Sequence, residues 1–333
     1  MIFANRLKIG DTIAFFSPSS PITVTAPKRF QRAMDFLSKK GFNLFEGNLT
    51  KKIDFYRSGS IVQRVDELNS LIRNPDVKCI ISTIGGMNSN SLLPYIDYEQ
   101  LAKNPKIIIG YSDMTAILLG IYSKIGLVTY YGPALVATFG EFPPYQNLSF
   151  GYFSDILINL TKPPLTLSRP PFWTDEFMPW EEQDRQKIQI DNKLLTVNPG
   201  ITKGRIIGGN LSTMQGFWGS QYFPEIQEGD ILFIEDSLKN IAEIERSFSL
   251  LKVNNVYDKV SGIILGKHEL FNDLNTGKKP YDVLLEVIGK PNFPILAEFD
   301  CSHAHPMLTI PIGINIELDA SNQKVTLLGD WIK

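Results

Sequence analysis

Cysteine and histidine are scarce in this chain, and their scarcity limits the chemistry that it can perform. Only Cys79 and Cys301 occur among 333 residues, so there is no disulfide framework and no cysteine cluster for a metal. The chain has three histidines. A reaction that needs an imidazole must therefore use His268, His303 or His305.

The chain also lacks an excess of charge and a long apolar segment. Its formal net charge is -2, without a long run of one sign, so neither a nucleic acid nor a membrane surface is expected as a partner. No segment has the length of a membrane span, and the first residues, MIFANRLKIG, lack the apolar stretch of a signal peptide. We therefore expect a cytoplasmic protein, and the 43% of hydrophobic residues is enough for a sizeable core.

The first half of the chain alternates short apolar segments with helical patterns. Strands are predicted over residues 12–16, 42–45, 79–84 and 107–109, and helices over residues 27–41 and 60–73. This βαβα order predicts a parallel sheet with helices on both faces. Sites in such sheets lie at the carboxyl ends of the strands, where we expect Gly85, Gly86 and Ser112.

The second half is predicted to be richer in strands. The predicted strands cover residues 188–190, 194–197, 231–234, 260–265 and 294–297, with a closing pair at 309–318 and 324–328. An amphipathic stripe from Leu238 to Leu251 predicts a helix with a core face.

The predicted fold class is α/β, in three parts. Residues 1–165 form an N-terminal α/β domain with a parallel sheet flanked by helices, and residues 188–333 a smaller C-terminal α/β domain rich in strands. Residues 166–187 contain Trp173 and Trp180 and too many prolines for a helix. We interpret them as an interdomain substrate loop.

The segment Gly110-Tyr111-Ser112-Asp113 is the most informative in the chain. It follows a predicted strand and precedes a predicted helix. A serine at such a sharp turn has the geometry of a nucleophile elbow, and the amide of Asp113 at the helix N-terminus can donate to a developing oxyanion. The alternative, on this segment alone, is a Ser-Asp helix N-cap.

A serine nucleophile needs a base, and the base needs a carboxylate that orients it. Glu235 follows a predicted strand, and the order Ser112, Glu235, His303 is that of one known class of triad. Order alone does not establish adjacency. Two alternatives remain: a metal pair made by His303 and His305 with Asp300 nearby, and a non-catalytic nucleotide- or peptide-binding protein.

Five separated motifs together resemble the serine LD-carboxypeptidase and microcin C immunity peptidase family. They are GYSD, the Gly85-Gly86 turn leading into SLLP, GRIIGGNL, LFIED and HxHPMLTIPIG. The resemblance implies a serine peptidase without metal or cofactor, in which Ser112, His303 and Glu235 form the triad. It also implies an oxyanion hole made by the amides of Gly86 and Asp113, a site between two domains, and a homodimer.

The family resemblance leaves two substrate classes open. LD-carboxypeptidases cut an L-to-D amide bond in murein tetrapeptides, whereas microcin immunity peptidases cut the bond between an acidic amino acid and a nucleotide phosphoramidate. The loop with Trp173 and Trp180 favours the second class, because stacking of a tryptophan on a base contributes ~1–3 kcal/mol. Packing against the partner domain is the alternative for one of these tryptophans.

Three further residues are candidates for substrate contact. Asn210, in the GGN of GRIIGGNL, and Lys239, four residues past Glu235, are candidates to meet phosphate oxygens. A lysine in the position of Lys239 is also typical of a solvated helix surface. Gly85, in the Gly85-Gly86 turn that follows a predicted strand, is the third candidate.

Overall fold

The structure is a computed structural model that describes residues 1–333. The strands are β1 (Thr12–Phe16), β2 (Asn43–Glu46), β3 (Val77–Ser82), β4 (Ile107–Gly110), β5 (Thr129–Tyr131), β6 (Leu165–Thr166), β7 (Phe172–Trp173), β8 (Ile190–Asp191), β9 (Leu195–Asn198), β10 (Ile201–Asn210), β11 (Ile231–Glu235), β12 (Gly262–Gly266), β13 (Ile295–Phe299), β14 (Ile310–Ile312), β15 (Asn315–Asp319) and β16 (Lys324–Leu327). The helices are α1 (Ile22–Thr25), α2 (Pro27–Lys39), α3 (Ile61–Arg73), α4 (Tyr98–Lys103), α5 (Thr115–Ile125), α6 (Tyr145–Leu157), α7 (Leu211–Gln215), α8 (Ile241–Val253), α9 (Val256–Lys259) and α10 (Pro280–Ile288). Short 3₁₀ segments cover Ser89–Tyr95 and Ser112–Met114, and a π-helical turn covers Leu135–Phe139.

The first sheet has the strand order β14-β5-β4-β3-β1-β2. Strands β1 to β5 are parallel, and β14 is antiparallel to β5. The chain leaves β1 toward β2 on one side and continues through β3, β4 and β5 on the other. The order therefore reverses between β1 and β3, and ligands of doubly wound sheets bind at such a reversal.

The second sheet has the order β6-β16-β15-β10-β11-β12-β13-β9. Its centre, β10 to β13, is parallel, and the flanking strands are antiparallel. Parallel strands of this kind are apolar on both faces, and all five residues of β11 are buried. The fold class predicted from the sequence is confirmed.

Local sequence signals explain where the flanking helices begin. Pro27 occupies the first turn of α2, where its fixed φ suits the helix and its missing N–H costs nothing. Ser60 caps α3 through a reciprocal capping box with Gln63, as its position before the apolar stripe predicts. One contiguous cluster of 87 buried apolar residues includes members of both sheets, so the two halves are packed as one body.

The structure differs from the sequence prediction at three places. Leu238 is 66% exposed and precedes α8, which begins at Ile241, so it is not part of the core stripe. The predicted strand 309–318 is two strands, because Gly313 with φ of 92° turns the chain between β14 and β15. Only β15 pairs with β16, while β14 completes the first sheet.

Each half of the chain contributes a strand to the sheet of the other half. Strand β6, at the end of the N-terminal part, pairs with β16 in the second sheet. Trp331, near the C-terminus, contacts the N-terminal half, because its indole N–H donates to the carbonyl of Ile156 in α6 at 2.8 Å. No helix in the structure is long and apolar enough to cross a membrane.

Candidate active site

Ser112 occupies a strained turn at the carboxyl end of β4. Its φ is 60°, a left-handed conformation that is rare for residues other than glycine and that turns the side chain out of the strand. Gly85 lies directly against this turn. A Cβ on Gly85 would lie 2.8 Å from Ser112 Cβ and 2.9 Å from the amide nitrogen of Asp113, so only glycine fits there.

The turn after β3 is fixed to this elbow by Asp113. The carboxylate of Asp113 accepts hydrogen bonds from the amides of Asn88 and Ser89 at 3.0 and 2.9 Å. Gly86, with φ of 147°, needs the conformational freedom of glycine to direct the chain into this turn. The peptide segments of Gly86 and Asp113 therefore border the same cavity as Ser112.

Glu235 and His303 are in direct contact at the carboxyl ends of β11 and β13. His303 Nδ1 lies 2.7 Å from Glu235 Oε2. The other carboxylate oxygen accepts hydrogen bonds from the Tyr131 hydroxyl at 2.5 Å and from Asn210 Nδ2 at 3.0 Å. The adjacent Asp236 has different partners, since its Oδ2 accepts from the amide and hydroxyl of Ser212, so Glu235 is the carboxylate beside the imidazole.

The charges of Glu235 and His303 stabilise each other. Burial opposes protonation of His303, but the charge and hydrogen bond of Glu235, with Glu269 and Asp236 nearby, raise its pKa to about 9. Burial likewise opposes ionisation of Glu235, but His303 on one oxygen and the donors Tyr131 and Asn210 on the other hold its pKa below the usual value. The carboxylate is therefore ionised and fixes the orientation of the imidazole.

Ser112 and His303 both line a cavity of about 450 Å³. No hydrogen bond joins the serine hydroxyl to the imidazole in this structure. Hydrogen bonds of this type often tighten only in the complex with substrate, so the geometry is compatible with proton transfer. The cavity also borders Gly85, Gly86, Asp113, Trp180, Lys187, Asn210, Lys239 and His305.

The substrate residues predicted from the sequence do not all reach this cavity. Trp180 lines it, and the guanidinium of Arg29 covers one face of the indole at 4.4 Å from the ring centroid. Lys239 also lines it. Trp173 does not, because it pairs with β8 and lies near the ammonium of Lys267, 5.6 Å from its ring centroid.

Asn210 lines the cavity, but both ends of its amide are engaged within the protein. Its nitrogen donates to Glu235. Its oxygen accepts from the amide of Thr213, so the Asn210 side chain caps α7. The backbone amide of Asn210 also donates to Thr115 Oγ1 at 3.0 Å, joining β10 to the helix that follows the elbow. Asn210 therefore connects the two halves of the site, a role that its position in the sequence did not indicate.

The contacts of His305 and Asp300 do not fit the alternative of a metal pair made by His303 and His305 with Asp300 nearby. His305 is 6% exposed and lies among Lys187, Glu141 and Arg29. Burial and the charges of Lys187 and Arg29 outweigh the charge of Glu141 and lower the pKa of His305 to about 3. Asp300 is bound to Lys267 at 2.6 Å. No group of three or more histidine, cysteine, aspartate or glutamate side chains is placed to hold a metal ion.

Tyr131 is a site residue that sequence reasoning missed. Its hydroxyl accepts a hydrogen bond from the amide of Ser112 at 3.1 Å and donates to Glu235. It thus links the Ser112 turn of the first sheet to the Glu235 carboxylate of the second. The run Val128-Thr129-Tyr130-Tyr131 is rich in β-branched and aromatic residues and could have predicted the strand, but not the contact.

A serine on an elbow, facing an imidazole that is oriented by a buried carboxylate, is the arrangement of a serine hydrolase. Residues 13–132 match the LD-carboxypeptidase N-terminal domain, and residues 203–318 match the LD-carboxypeptidase C-terminal domain. The chain belongs to the LD-carboxypeptidase family, the S66 peptidases, as the five motifs predicted.

Relatives in this family match the chain over its whole length. A Vibrio cholerae protein named as a carboxypeptidase is 55% identical over 100% of this chain and 99% of its own. The microcin C7 self-immunity protein MccF of Escherichia coli is 52% identical over 99% of this chain and 97% of its own. A solved MccF structure superposes with a TM-score of 0.98, covering 100% of both chains.

Two solved structures of MccF contain aminoacyl nucleotide analogues. One is a complex with aspartyl sulfamoyl adenosine and the other with glutamyl sulfamoyl guanosine. A more distant relative, the murein tetrapeptide carboxypeptidase of Pseudomonas aeruginosa, is 26% identical over 78% of this chain and 76% of its own. Both substrate classes implied by the sequence motifs are therefore represented among the relatives.

Proposed function

We propose that this protein is a serine peptidase that hydrolyses the amide-type bond between an acidic amino acid and a nucleotide phosphoramidate of the microcin C type. The observation that carries the proposal is the full-length similarity to MccF, whose solved complexes hold acidic aminoacyl nucleotide analogues. A cavity of about 450 Å³, bordered by an indole and two lysines, is consistent with a ligand of that size and charge. The biological role would be self-immunity or detoxification.

In the proposed reaction, Ser112 Oγ attacks the acyl carbonyl carbon while His303 takes the hydroxyl proton. The carbonyl carbon–nitrogen bond then breaks, and His303 returns the proton to the leaving nitrogen. Water, deprotonated by the same imidazole, hydrolyses the acyl-serine and releases the free amino acid. Glu235 holds the ring in the required tautomer and stabilises its protonated form, in keeping with the 2.7 Å contact and the raised pKa of His303.

The negative charge that develops on the carbonyl oxygen needs donors. We assign these to the backbone amides of Gly86 and Asp113. The absence of a side chain on Gly85 leaves open the space beside Ser112 that a reacting carbonyl must enter.

Substrate recognition is assigned to the part of the cavity that Trp180 and Lys239 border. One face of the Trp180 indole is covered by Arg29, so a base would stack on the other face. Lys239 is suited to a phosphate oxygen. For Asn210 we now assign a positioning role, because its amide is bound to Glu235 and to α7. Trp173, which does not border the cavity, has no assigned substrate contact.

The alternative function is a murein tetrapeptide LD-carboxypeptidase, which uses the same triad on a different amide bond. The likeness to the Pseudomonas aeruginosa enzyme is the observation in its favour. Incubation of one enzyme preparation with each substrate separates the two: we expect release of nucleotide from an aspartyl phosphoramidate. Release of D-alanine from the tetrapeptide without any nucleotide release would replace the proposal with the alternative.

The sequence-based expectations of a homodimer and of a cytoplasmic location remain part of this proposal. Light scattering at micromolar concentration checks the first, since a mass near 37.5 kDa would indicate a monomer.

A further inference from the structure

A buried charged cluster adjoins the cavity on the side of the interdomain loop. We call it the Glu141 cluster, and its members are Arg29, Glu141, Gln183, Lys187 and His305. All five are at most 6% exposed. Lys187 and His305 also line the cavity, whereas Arg29, Glu141 and Gln183 lie behind them.

The two cations of the cluster are held very differently. Arg29 uses four of its five N–H donors, in hydrogen bonds to Glu141 Oε2 at 2.8 Å, to Gln183 Oε1 at 2.8 Å and to two backbone carbonyls. Lys187 has one charged contact, to the same Glu141 oxygen at 3.5 Å. Since an ammonium group has three N–H donors, most of the hydrogen-bonding capacity of Lys187 is unused.

The carboxylates near Lys187 are shared with other cations. Glu141 already faces Arg29, and on the outer side Arg32 faces both Glu141 and the half-exposed Glu181. Glu269 is shared between His303 and Lys187, and burial raises the pKa of its carboxyl group. A buried cation without a counterion of its own is costly, so a site that retains one is suited to an anion that arrives with the ligand.

The cluster is also connected to the catalytic histidine. The backbone of His305, two residues beyond His303, forms two hydrogen bonds with Thr174 of the interdomain loop, at 2.8 and 3.0 Å. Lys187 lies at the end of the same loop. The loop that ends at Lys187 is therefore hydrogen-bonded to the segment that carries His303.

We infer that Lys187 binds the side-chain carboxylate of the acidic acyl group and so determines the preference for aspartyl and glutamyl substrates. The inference rests on the proposed function and names its specificity residue. His305 borders the same cavity, and its buried Nδ1 has no hydrogen-bond partner within the protein.

A purely structural role for Lys187 predicts different behaviour. Replacement by methionine leaves the Arg29–Glu141 ion pair intact and removes a buried charge. We therefore expect Lys187→Met to fold and to melt no lower than the wild type. A structural lysine would instead lower the melting temperature and reduce turnover of every substrate alike.

The test compares two adenosine phosphoramidates, one aspartyl and one asparaginyl, that differ by a single charge. For wild type, Lys187→Met, Lys187→Arg and Lys239→Met, kcat/KM is measured on both. We expect Lys187→Met to reduce the aspartyl-over-asparaginyl ratio on the order of 10- to 100-fold, and Lys187→Arg to restore part of it. Lys239→Met should lower both values in the same proportion, because the phosphate is common to both substrates.

The outcomes separate this inference from the proposed function. An unchanged aspartyl-over-asparaginyl ratio in Lys187→Met, with wild-type turnover intact, overturns the assignment of Lys187 and leaves the peptidase standing. A parallel loss on both substrates with a lowered melting temperature overturns it in favour of a structural role. Absence of nucleotide release by the wild-type protein overturns both proposals.

Discussion

The two walls of the cavity are built in different ways. The wall from the first sheet presents a serine and backbone amides, held by a strained turn at Ser112 and by the hydrogen bonds of Asp113 to the neighbouring turn. The wall from the second sheet presents ionisable side chains, Glu235 and His303, held by each other and by Tyr131. The first wall therefore depends on backbone geometry, and the second on charge and protonation.

Removal of the Ser112 hydroxyl, on the first wall, should have the largest effect on activity. Ser112→Ala should lower kcat by roughly 10³-fold or more while the circular dichroism spectrum is unchanged, because the hydroxyl forms the acyl intermediate. Hydrolysis rates in purified protein check this. Turnover close to that of the wild type would show that Ser112 is an N-cap and not the nucleophile.

On the other wall, Glu235→Gln should cost roughly 10²- to 10⁴-fold in kcat, because an amide can hold the imidazole but does not stabilise its protonated form. Asp236→Asn is the matched control, since Asp236 accepts from Ser212 and not from His303. A severe loss in Asp236→Asn with little effect in Glu235→Gln would mean that the orienting carboxylate is the neighbour.

Trp180→Ala is expected to raise KM for the aminoacyl nucleotide about tenfold and to change kcat much less, since stacking contributes ~1–3 kcal/mol. Trp173→Ala is its control, because that side chain does not border the cavity. Equal effects of the two substitutions on KM would argue for packing rather than stacking.

Tyr131 joins the two walls, so its hydroxyl is the point at which they can be uncoupled. Tyr131→Phe should lower kcat/KM about tenfold, because Glu235 loses a donor and the Ser112 amide loses its acceptor. Tyr130→Phe loses only a hydrogen bond to the carbonyl of Trp331, so it should affect stability and not catalysis. Equal loss of activity in both would remove Tyr131 from the site.

The smallest effect concerns pH. As a base His303 must be neutral, so kcat/KM should rise with pH as its proton is lost near pH 9, and Glu235→Gln should move this rise to lower pH. Because the pKa of His303 is raised in the folded protein, its contribution to stability is complete below about pH 6.5 and is lost as pH rises through the folded value. A rise at the same pH in both proteins would contradict the coupling.

The same contrast between the walls explains what the sequence could predict. The Ser112 elbow and the Gly85-Gly86 turn arise from short strand-to-turn patterns, and β1, β3, β4 and α3 were predicted within a few residues. Residues that are neighbours in the sequence determine these turns, strands and helices, so the sequence pattern predicts them.

The second wall depends on contacts between distant residues, which spacing does not reveal. Tyr131 meets Glu235, 104 residues away, and Arg29 meets Gln183, 154 residues away. The triad was assigned from family resemblance, whereas Tyr131 and Lys187 belong to no motif that was recognised. The position of β14 in the first sheet was missed for the same reason, because strand pairing is a tertiary choice.

The proposed function requires that Ser112 becomes acylated by an acidic aminoacyl nucleotide. The most direct measurement is an equimolar competition between an aspartyl phosphoramidate of adenosine and an L-Ala-D-Glu-diamino acid-D-Ala tetrapeptide, quenched during turnover and analysed by mass spectrometry. We expect aspartate and nucleotide to be released ahead of D-alanine, and an aspartyl adduct to be found on the peptide that contains Ser112. Release of D-alanine alone, with no nucleotide product and no aspartyl adduct, would contradict it.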